Sequence, residues 1–320
     1  MFDIIVIGAG LIGSAAIRTL SQSNQNVAII GPAEPEEWAN HDGVFASHYD
    51  QGRITRVLAN DRVWAILAQR SIEQYRLIEQ KSGIRFHYPV GGWQVGHPAE
   101  DFISKTEAVG RELGRAFETY EPDRLAEAEP LFTFPTGLIG VREAAPAGYI
   151  NPRSLVQAQL TIAAQQGATI IREMIAGVDR RNGFIELKGS AGQTYQARKI
   201  LLGTGAFTNM LLARPLKLIP KARTILLAEL PPAEIERLRD MPTLIYENAT
   251  DPLPGRQNLP QDGRGEQPGG NHRHLRGPAR SDETLRHHRH RLGLPHHRCP
   301  RAGSGLRSRR RLRSLGQIVK

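Results

Sequence analysis

Three glycines near the N-terminus, Gly8, Gly10 and Gly13, have the spacing G-x-G-x-x-G. They follow the apolar run at residues 4–7 and precede apolar residues at a helical period, a pattern typical of strand, tight turn and helix. Gly8 permits a turn that a Cβ would obstruct, Gly10 lets the backbone approach a pyrophosphate, and Gly13 lets the helix pack on its strand. The free N–H groups and the positive dipole end of the helix then face the diphosphate. The spacing predicts a dinucleotide site, and the alternative is a glycine-rich turn without a ligand.

A second apolar strand, at residues 27–30, follows at the distance expected in a strand–helix–strand unit. An acidic residue at the end of this strand usually holds the ribose hydroxyls of a dinucleotide. The chain has Gly31 and Pro32 there, so Glu34 is the nearest replacement. We assign the ribose contact to Glu34 as a hypothesis.

Residues 47–56 contain three further side chains with useful chemistry, His48, Arg53 and Arg56. A guanidinium presents a rigid fork of donors that holds a carboxylate through two parallel hydrogen bonds and so orients a substrate. On residue type alone, the two arginines fit a surface pair or phosphate contacts as well as they fit this substrate-orienting role. His48 is by itself more typical of a structural histidine.

The rest of the first 250 residues alternates helical and strand patterns, which indicates an α/β fold. The predicted helices are at about 63–81, within 98–113, at 152–166 and at 233–240, and the predicted strands are at 169–172, 184–188, 194–202 and 224–230. Two glycines at 91–92 predict a hairpin over 86–95. The Asn182-Gly183 pair predicts a turn between the strands at 169–172 and 184–188.

The composition concentrates positive charge at one end of the chain. Residues 251–320 contain 16 basic and 5 acidic side chains, whereas residues 1–250 contain 26 and 27. The single cysteine, Cys299, excludes an intramolecular disulfide framework and fits a reducing compartment. The N-terminus has no signal-peptide pattern, and no apolar run approaches the ~18 residues needed to span a bilayer. We therefore expect a cytoplasmic protein without a membrane partner.

Residues 251–320 have no Phe, Tyr or Trp, seven His, and no sustained strand or helix period. Such a segment buries too little apolar surface to offset the entropy of ordering it, so we predict a disordered Arg/His/Pro/Gly tail. A basic arm can bind nucleic acid through phosphate contacts, but this one lacks aromatics for base stacking. Its histidines lack the matched ligand pairs of a dedicated metal site. Neither a specific nucleic acid nor a structural metal is expected.

Four motifs in this order resemble the flavin-dependent D-amino-acid oxidase superfamily over about residues 2–250: the glycines at 8–13, Ser47-His48 with the run at 52–56, the run at 148–152, and the run at 202–206. Within the superfamily, the sequence is most similar to the branch of monomeric sarcosine oxidase and N-methyltryptophan oxidase. The resemblance implies a Rossmann-like FAD-binding domain of residues 1–84 and 149–215. It implies that an α+β substrate domain of residues 85–148 and 216–250 is interleaved with it, so that the fold is α/β.

The resemblance also implies an activity and a set of site residues. A monomer would oxidise the C–N bond of a secondary amine or N-methyl amino acid, with FAD as cofactor and oxygen as acceptor. His48 and Arg53 match positions close to the flavin ring, where cationic groups favour the anionic reduced flavin. Arg56 matches a position that pairs with the substrate carboxylate. The cofactor itself would contact Gly8, Gly10 and Gly13 at the pyrophosphate, Val178 near the adenine, and Thr204, Gly205 and Ala206 at a second turn.

The resemblance ends near Asp251, where the family would continue with substrate-domain strands and a third FAD segment. That region would supply an oxygen-activating lysine, aromatic pocket walls and, in some members, the cysteine of a covalent flavin, and the surroundings of Cys299 do not match. We hypothesise a shift of the coding frame shortly after Asp251, because out-of-frame GC-rich DNA tends to encode Arg, His, Pro and Gly. The alternatives are a non-catalytic or degenerate FAD-binding fragment and a basic-tailed protein that interacts with nucleic acid. An NAD-dependent dehydrogenase is disfavoured by the second small-residue turn at 203–206.

Overall fold

The structure, a computed structural model, describes residues 1–23, 26–37, 41, 43–220 and 225–247. All of them belong to one of two units of the chain, the unit that contains residues 1–251, and the fold below is that of this unit. The predicted tail at residues 251–320 lies outside the described residues, as does Cys299.

The described residues form a mixture of helices and strands, which confirms the predicted α/β class. The helices are α1 (Leu11–Leu20), α2 (Arg62–Ser82), α3 (Asp101–Glu112), α4 (Pro122–Ala128), α5 (Pro152–Gln165) and α6 (Pro232–Arg237). The strands are β1 (Phe2–Ile7), β2 (Val27–Ile30), β3 (Arg53–Thr55), β4 (His87–Tyr88), β5 (Gly92–Gly96), β6 (Glu118–Tyr120), β7 (Ile139–Glu143), β8 (Gly148–Ile150), β9 (Thr169–Ile171), β10 (Ile175–Arg180), β11 (Ile185–Gly189), β12 (Thr194–Leu202) and β13 (Thr243–Glu247).

The largest sheet has six strands in the order β10-β11-β12-β1-β2-β9. The strands from β12 to β9 are parallel to one another, and β10 and β11 extend the sheet as antiparallel strands. Side chains of β1 alternate between two buried clusters, because successive residues of a strand point to opposite faces. Val6 joins residues of α1 and α5 on one face, whereas Ile5 and Ile7 join residues of β2, β10, β11 and β12 on the other.

Two smaller sheets accompany the large one. A four-stranded sheet has the order β13-β5-β7-β6, and its buried cluster is centred on Trp93 and Val95. A three-stranded antiparallel sheet has the order β3-β8-β4. A buried cluster with residues from α2, α5 and β8 includes Phe86, the residue just before β4. The same cluster contains Val57, so the segment that follows β3 packs among elements that are distant in sequence.

The two helices near the candidate site have clear start and stop signals. Asp61 precedes α2 and its Oδ1 accepts the N–H of Trp64 at 2.9 Å, while Gly83 ends the helix with φ 70°. Asn151 precedes α5 and its Oδ1 accepts the N–H of Ser154 at 3.1 Å, with Pro152 at the first helical position. These caps fix where α2 and α5 begin, and Gly83 fixes where α2 ends. Across the described part of the chain, no helix combines the length and apolar character needed to cross a membrane.

Three predictions of local structure are wrong. The predicted hairpin over 86–95 is absent, because β4 pairs with β8 and β5 pairs with β7 and β13. The turn at residues 182–183 connects β11 to β10, a strand that the sequence pattern missed, and not to the strand at 169–171. The described residues of the predicted strand at 224–230 form no strand. Residue 224 itself lies outside the described residues.

Candidate functional site

Two turns meet backbone to backbone beside the ends of β1 and β12. The first, residues 8–13, is called the glycine loop below, and the second is residues 203–206. Gly8 has φ 102°, a conformation that L side chains rarely adopt, and a Cβ there would lie 2.5 Å from the carbonyl oxygen of Gly203. A Cβ on Gly13 would lie 1.8 Å from the carbonyl oxygen of Gly8. The N–H of Gly203 donates to the carbonyl of Ile7 at 2.7 Å. These contacts leave no room for a side chain at Gly8 or Gly13, and a Cβ on Gly203 would lie only 3.2 Å from the backbone of Gly13.

A Cβ on Gly10, the middle glycine, would lie in open space, unlike a Cβ on Gly8 or Gly13. The only described atom within 4 Å of its Cβ position is Nδ1 of His48, at 3.7 Å. Gly10 is also the N-cap of α1, and no side chain caps this helix end. The first N–H groups of α1 therefore retain donor capacity beside an open backbone, which is the arrangement that binds a phosphate.

The backbone explains why no acid follows β2. A Cβ on Gly31 would lie 2.5 Å from the backbone nitrogen of Ala9 and 2.8 Å from its Cβ. A carboxylate is instead presented by Glu34, and both of its oxygens accept from Nε of Arg153 at 2.9 Å. The Nη2 group of Arg153 lies 2.7 Å from one of these oxygens and donates to the carbonyl of Tyr49 at 2.8 Å. Arg153 thus ties together the segment after β2, the loop that contains His48 and the start of α5.

Glu34, Arg153 and His48 line a cleft of about 390 Å³ together with Ala9, Pro32, Ala33, Ile84, Ser154, Val156, Gln157, Leu160 and Arg172. The residues after β1 and β2 line it, so it lies at the carboxyl ends of parallel strands, where open α/β sheets bind their ligands. A second cleft, of about 420 Å³, lies between α2, residues 115–116 and residues 143–146. Its lining includes Glu143, Arg115 and Val57.

His48 presents an unsatisfied polar atom at this cleft. Its Nδ1 is buried and has no hydrogen-bond partner among the described residues. Burial lowers the pKa of His48 below its ordinary value, the Glu34 carboxylate opposes this shift, and the Arg153 guanidinium adds to it. This shift favours the neutral form of the ring. A buried polar atom without a partner beside Gly10 is the kind of group that a bound ligand satisfies.

Arg53 is held by its own loop. Its Nη2 and Nε donate to Oδ2 of Asp50 at 2.8 and 3.1 Å, and Nη2 also donates to the carbonyl of Ser47. These contacts close the loop that presents His48. Asp50, which was not among the predicted site residues, is thus a structural partner of this loop.

Arg56 has a different environment. Burial lowers the pKa of its guanidinium, and the Glu143 carboxylate opposes this. Its Nε is buried without a partner among the described residues. Glu143 itself accepts the N–H groups of Val57 and Leu58, the two residues that follow Arg56.

The predicted residues of the second turn lie beside the glycine loop, and Val178 does not. Thr204 follows Gly203, and its backbone nitrogen would lie 3.0 Å from a Cβ on Gly8. Gly205 (φ 53°) and Ala206 begin the short 3₁₀ helix Gly205–Met210. Val178 lies in β10, and its side chain packs against the cluster of Ile5 and Ile7. Its side chain is thus in the sheet core and not in the lining of the 390 Å³ cleft.

Gly31, Arg153 and Gly203 are prominent in this geometry but, like Asp50, were not among the predicted site residues. The first and last are small residues directly after strands, so their position was a usable signal. Arg153 lies 119 residues from Glu34 and had no local signal.

Comparison with known proteins places this geometry in a family. The model of the DAO family, FAD dependent oxidoreductase, matches residues 3–311, and so extends beyond Asp251, where the motif resemblance was expected to end. An N-methyl-L-tryptophan oxidase of Yersinia pestis (strain Pestoides F) is 24% identical over 213 residues, which are 66% of this chain and 55% of that protein. The chain thus spans about half the length of the curated relatives it matches.

Solved structures share the fold. Fructosyl amine: oxygen oxidoreductase (Amadoriase I) from Aspergillus fumigatus has a TM-score of 0.60 at 18% identity, over 77% of this chain and 58% of that one. Glycine oxidase from Geobacillus kaustophilus has a TM-score of 0.55 at 18% identity, over 66% and 57%. The predicted superfamily, its sarcosine oxidase-like branch and the cofactor FAD are confirmed. This chain belongs to the DAO family of FAD-dependent oxidoreductases.

Proposed function

We propose that this chain oxidises the C–N bond of a secondary amine or N-methyl amino acid, with FAD as cofactor and oxygen as acceptor. The single observation that carries the proposal is the uncapped N-terminus of α1, where Gly10 is open and Nδ1 of His48 is buried without a described partner. The substrate class is supported by the N-methyl-L-tryptophan oxidase relative. The acceptor is supported by the fructosyl amine: oxygen oxidoreductase neighbour.

The residues present at the site fit the cofactor. In our proposal the backbone of Gly8, Gly10 and Gly13 and the start of α1 hold the pyrophosphate, and Glu34 receives the ribose hydroxyls. Thr204, Gly205 and Ala206 form a second contact, because their turn packs on the glycine loop. Val178 contributes backbone groups near the adenine, since its side chain is in the sheet core.

The protein side of the reaction is positioning and electrostatics. Bound FAD would supply the two-electron redox chemistry that links the amine to oxygen. Arg56 holds the substrate carboxylate, because its guanidinium retains donors that no described residue uses. The loop closed by Arg53 and Asp50 presents the neutral ring of His48 beside Gly10.

We propose that the domains are interleaved as the family resemblance implies. Strands at residues 2–30 and 169–202 share the six-stranded sheet, which supports an FAD-binding domain of residues 1–84 and 149–215. Strands at 92–143 and 243–247 share the four-stranded sheet, which supports a substrate domain of residues 85–148 and 216–250. We further propose a cytoplasmic monomer that has no specific nucleic-acid partner.

A second candidate function is a non-catalytic FAD-binding fragment. The observation that favours it is the basic segment at 251–320, where a family oxidase would place its remaining substrate pocket. We propose a shift of the coding frame after Asp251 as its origin. Translation of the other two frames of the gene tests this, because the frame-shift hypothesis requires a flavoprotein ending there.

One experiment separates the two candidates. The full chain is purified, loaded with FAD and mixed anaerobically with N-methylglycine or N-methyltryptophan. Bleaching of the flavin absorbance, and its return with peroxide formation when oxygen is admitted, is the result expected of the oxidase. Bound FAD that no amine bleaches would identify the fragment.

A further inference from the structure

Glu143, the last residue of β7, makes an unusual connection between sheets. Its side chain is buried, with 7% of the residue exposed. Its Oε1 accepts the N–H of Val57 at 2.9 Å, and its Oε2 accepts the N–H of Leu58 at 2.9 Å and that of Val57 at 3.2 Å. One carboxylate of the four-stranded sheet thus holds the backbone that directly follows Arg56.

A buried carboxylate is costly unless it is hydrogen-bonded and its charge is compensated. Burial raises the pKa of Glu143, whereas the N–H groups of Leu58 and Val57 and the guanidinium groups of Arg56 and Arg115 oppose this rise and favour the charged carboxylate. A neutral amide side chain could accept a backbone N–H at a lower desolvation cost. The negative charge therefore needs an explanation beyond the two hydrogen bonds.

Arg56 provides that explanation. Both oxygens of Glu143 are occupied by backbone donors, and among the described residues Arg56 forms no ion pair within 4.0 Å. Its Nε is likewise without a partner there. Glu143 thus places a compensating charge near a buried guanidinium without using its donors.

We propose that Glu143 is the positioning residue for Arg56: it anchors the backbone that carries Arg56 and balances its charge, so that the guanidinium is free to bind a substrate carboxylate. The inference rests on the proposed function, in which Arg56 holds that carboxylate. It predicts a role in recognising carboxylated substrates and no role for amines that lack a carboxylate.

Three variants of the full chain test the proposal. Glu143→Gln keeps one oxygen as an acceptor and removes the charge, and Glu143→Ala removes both. Glu73→Gln is the matched control, because Glu73 lines the same 420 Å³ cleft from an exposed position of α2 and its Oε1 accepts from Nε2 of Gln69 in α2. Melting temperatures establish which variants fold.

The kinetic readout compares N-methylglycine with dimethylamine, its counterpart without a carboxylate. For Glu143→Gln we expect KM for N-methylglycine to rise roughly tenfold or more, because small displacements of a positioning group cost up to about 10²-fold. We expect kcat for both amines and KM for dimethylamine to stay within about twofold of wild type, since FAD and the amine-binding atoms are untouched. Equal effects on both substrates, or the same effects in Glu73→Gln, would overturn the proposal.

A second readout decides the inference even if the chain oxidises no amine. Acetate is titrated into the ¹⁵N-labelled full chain while the Arg56 Nε–H and the Val57 and Leu58 amides are followed by NMR. We expect acetate to shift the Arg56 signal in the wild type, weaker binding in Glu143→Gln, and faster amide exchange at Val57 and Leu58 in Glu143→Ala. Unchanged acetate affinity and unchanged exchange would refute the role of Glu143. Absent amine oxidation with these effects present would refute only the proposed function.

Discussion

Substitution of the glycines by alanine separates folding from cofactor binding. In Gly13→Ala the new Cβ would lie 1.8 Å from the carbonyl oxygen of Gly8, so α1 must move away from the end of β1 by about 1 Å or more before the contact becomes tolerable. Overpacking costs about 1–3 kcal/mol, and backbone atoms cannot rotate away, so we take the upper value of about 3 kcal/mol. The better helix propensity of alanine returns up to about 1 kcal/mol. The net destabilisation is about 2 kcal/mol.

Gly10→Ala is the matched comparison three residues away. Its Cβ would meet only Nδ1 of His48, at an ordinary contact distance of 3.7 Å. The cost to folding is the poorer N-cap, less than about 1 kcal/mol. The methyl group does, however, occupy the space through which a pyrophosphate approaches the backbone, so FAD affinity should fall at least tenfold.

The assay uses the FAD-free chain for stability and flavin fluorescence quenching for affinity. With about 2–4 °C per kcal/mol, Gly13→Ala should melt about 4–8 °C below wild type, and Gly10→Ala within about 4 °C of it. Gly10→Ala should lose FAD binding although it folds. The reasoning is refuted if Gly13→Ala melts like wild type or if Gly10→Ala keeps the wild-type dissociation constant.

Three further predictions concern the ion pair of Arg153 with Glu34, the titration of His48 and the packing of the sheet core. In Arg153→Leu, Glu34 loses its ion-pair partner, so FAD binding should weaken about tenfold. Binding of FMN, which lacks the adenosine, should be unaffected. Equal losses of FAD and FMN affinity would contradict the assigned ribose contact. Burial lowers the pKa of His48, so its contribution to stability is present above pH about 6.5 and is lost as the pH falls through the lowered pKa. His48→Asn should therefore melt with less pH dependence than wild type between pH 7 and 5, and identical profiles would refute this. Leu187→Ala empties a fully buried site and should cost about 2–5 kcal/mol, whereas Leu67→Ala, at a half-exposed site, should cost less than about 0.5 kcal/mol in the same denaturant titration.

The sequence was sufficient where structure is decided locally. The strand, turn and helix at residues 2–20 follow from an apolar run, glycine spacing and a helical period, and all three are confirmed. The failed hairpin over 86–95 shows the limit. Gly91 does turn the chain, with φ 79°, but the flanking strands pair with partners from residues 139–150 and 243–247. Which strands pair is a tertiary property, so no local pattern reveals it.

The residues of the candidate site likewise fall into those that local sequence predicts and those that depend on tertiary packing. The predicted glycines can be recognised by their spacing within one strand–turn–helix unit, although the close contact at Gly8 comes from Gly203, far along the chain. Two polar contacts join residues that are far apart in sequence. The ion pair of Glu34 with Arg153 spans 119 positions, and the hydrogen bond from the N–H of Val57 to Glu143 spans 86. Such polar contacts depend on how the sheets pack, so Glu34 can be singled out by its position after β2, whereas no local signal marks Arg153 or Glu143.

The central claim is that the glycine loop and the 390 Å³ cleft bind FAD. The most direct test is a titration of the purified full chain with FAD, followed by flavin fluorescence, with Gly10→Ala measured in parallel. The account predicts saturable quenching at one FAD per chain in the wild type and a large loss of affinity in Gly10→Ala. Wild-type protein that gives no saturable change, or a variant that binds as tightly as the wild type, would contradict it.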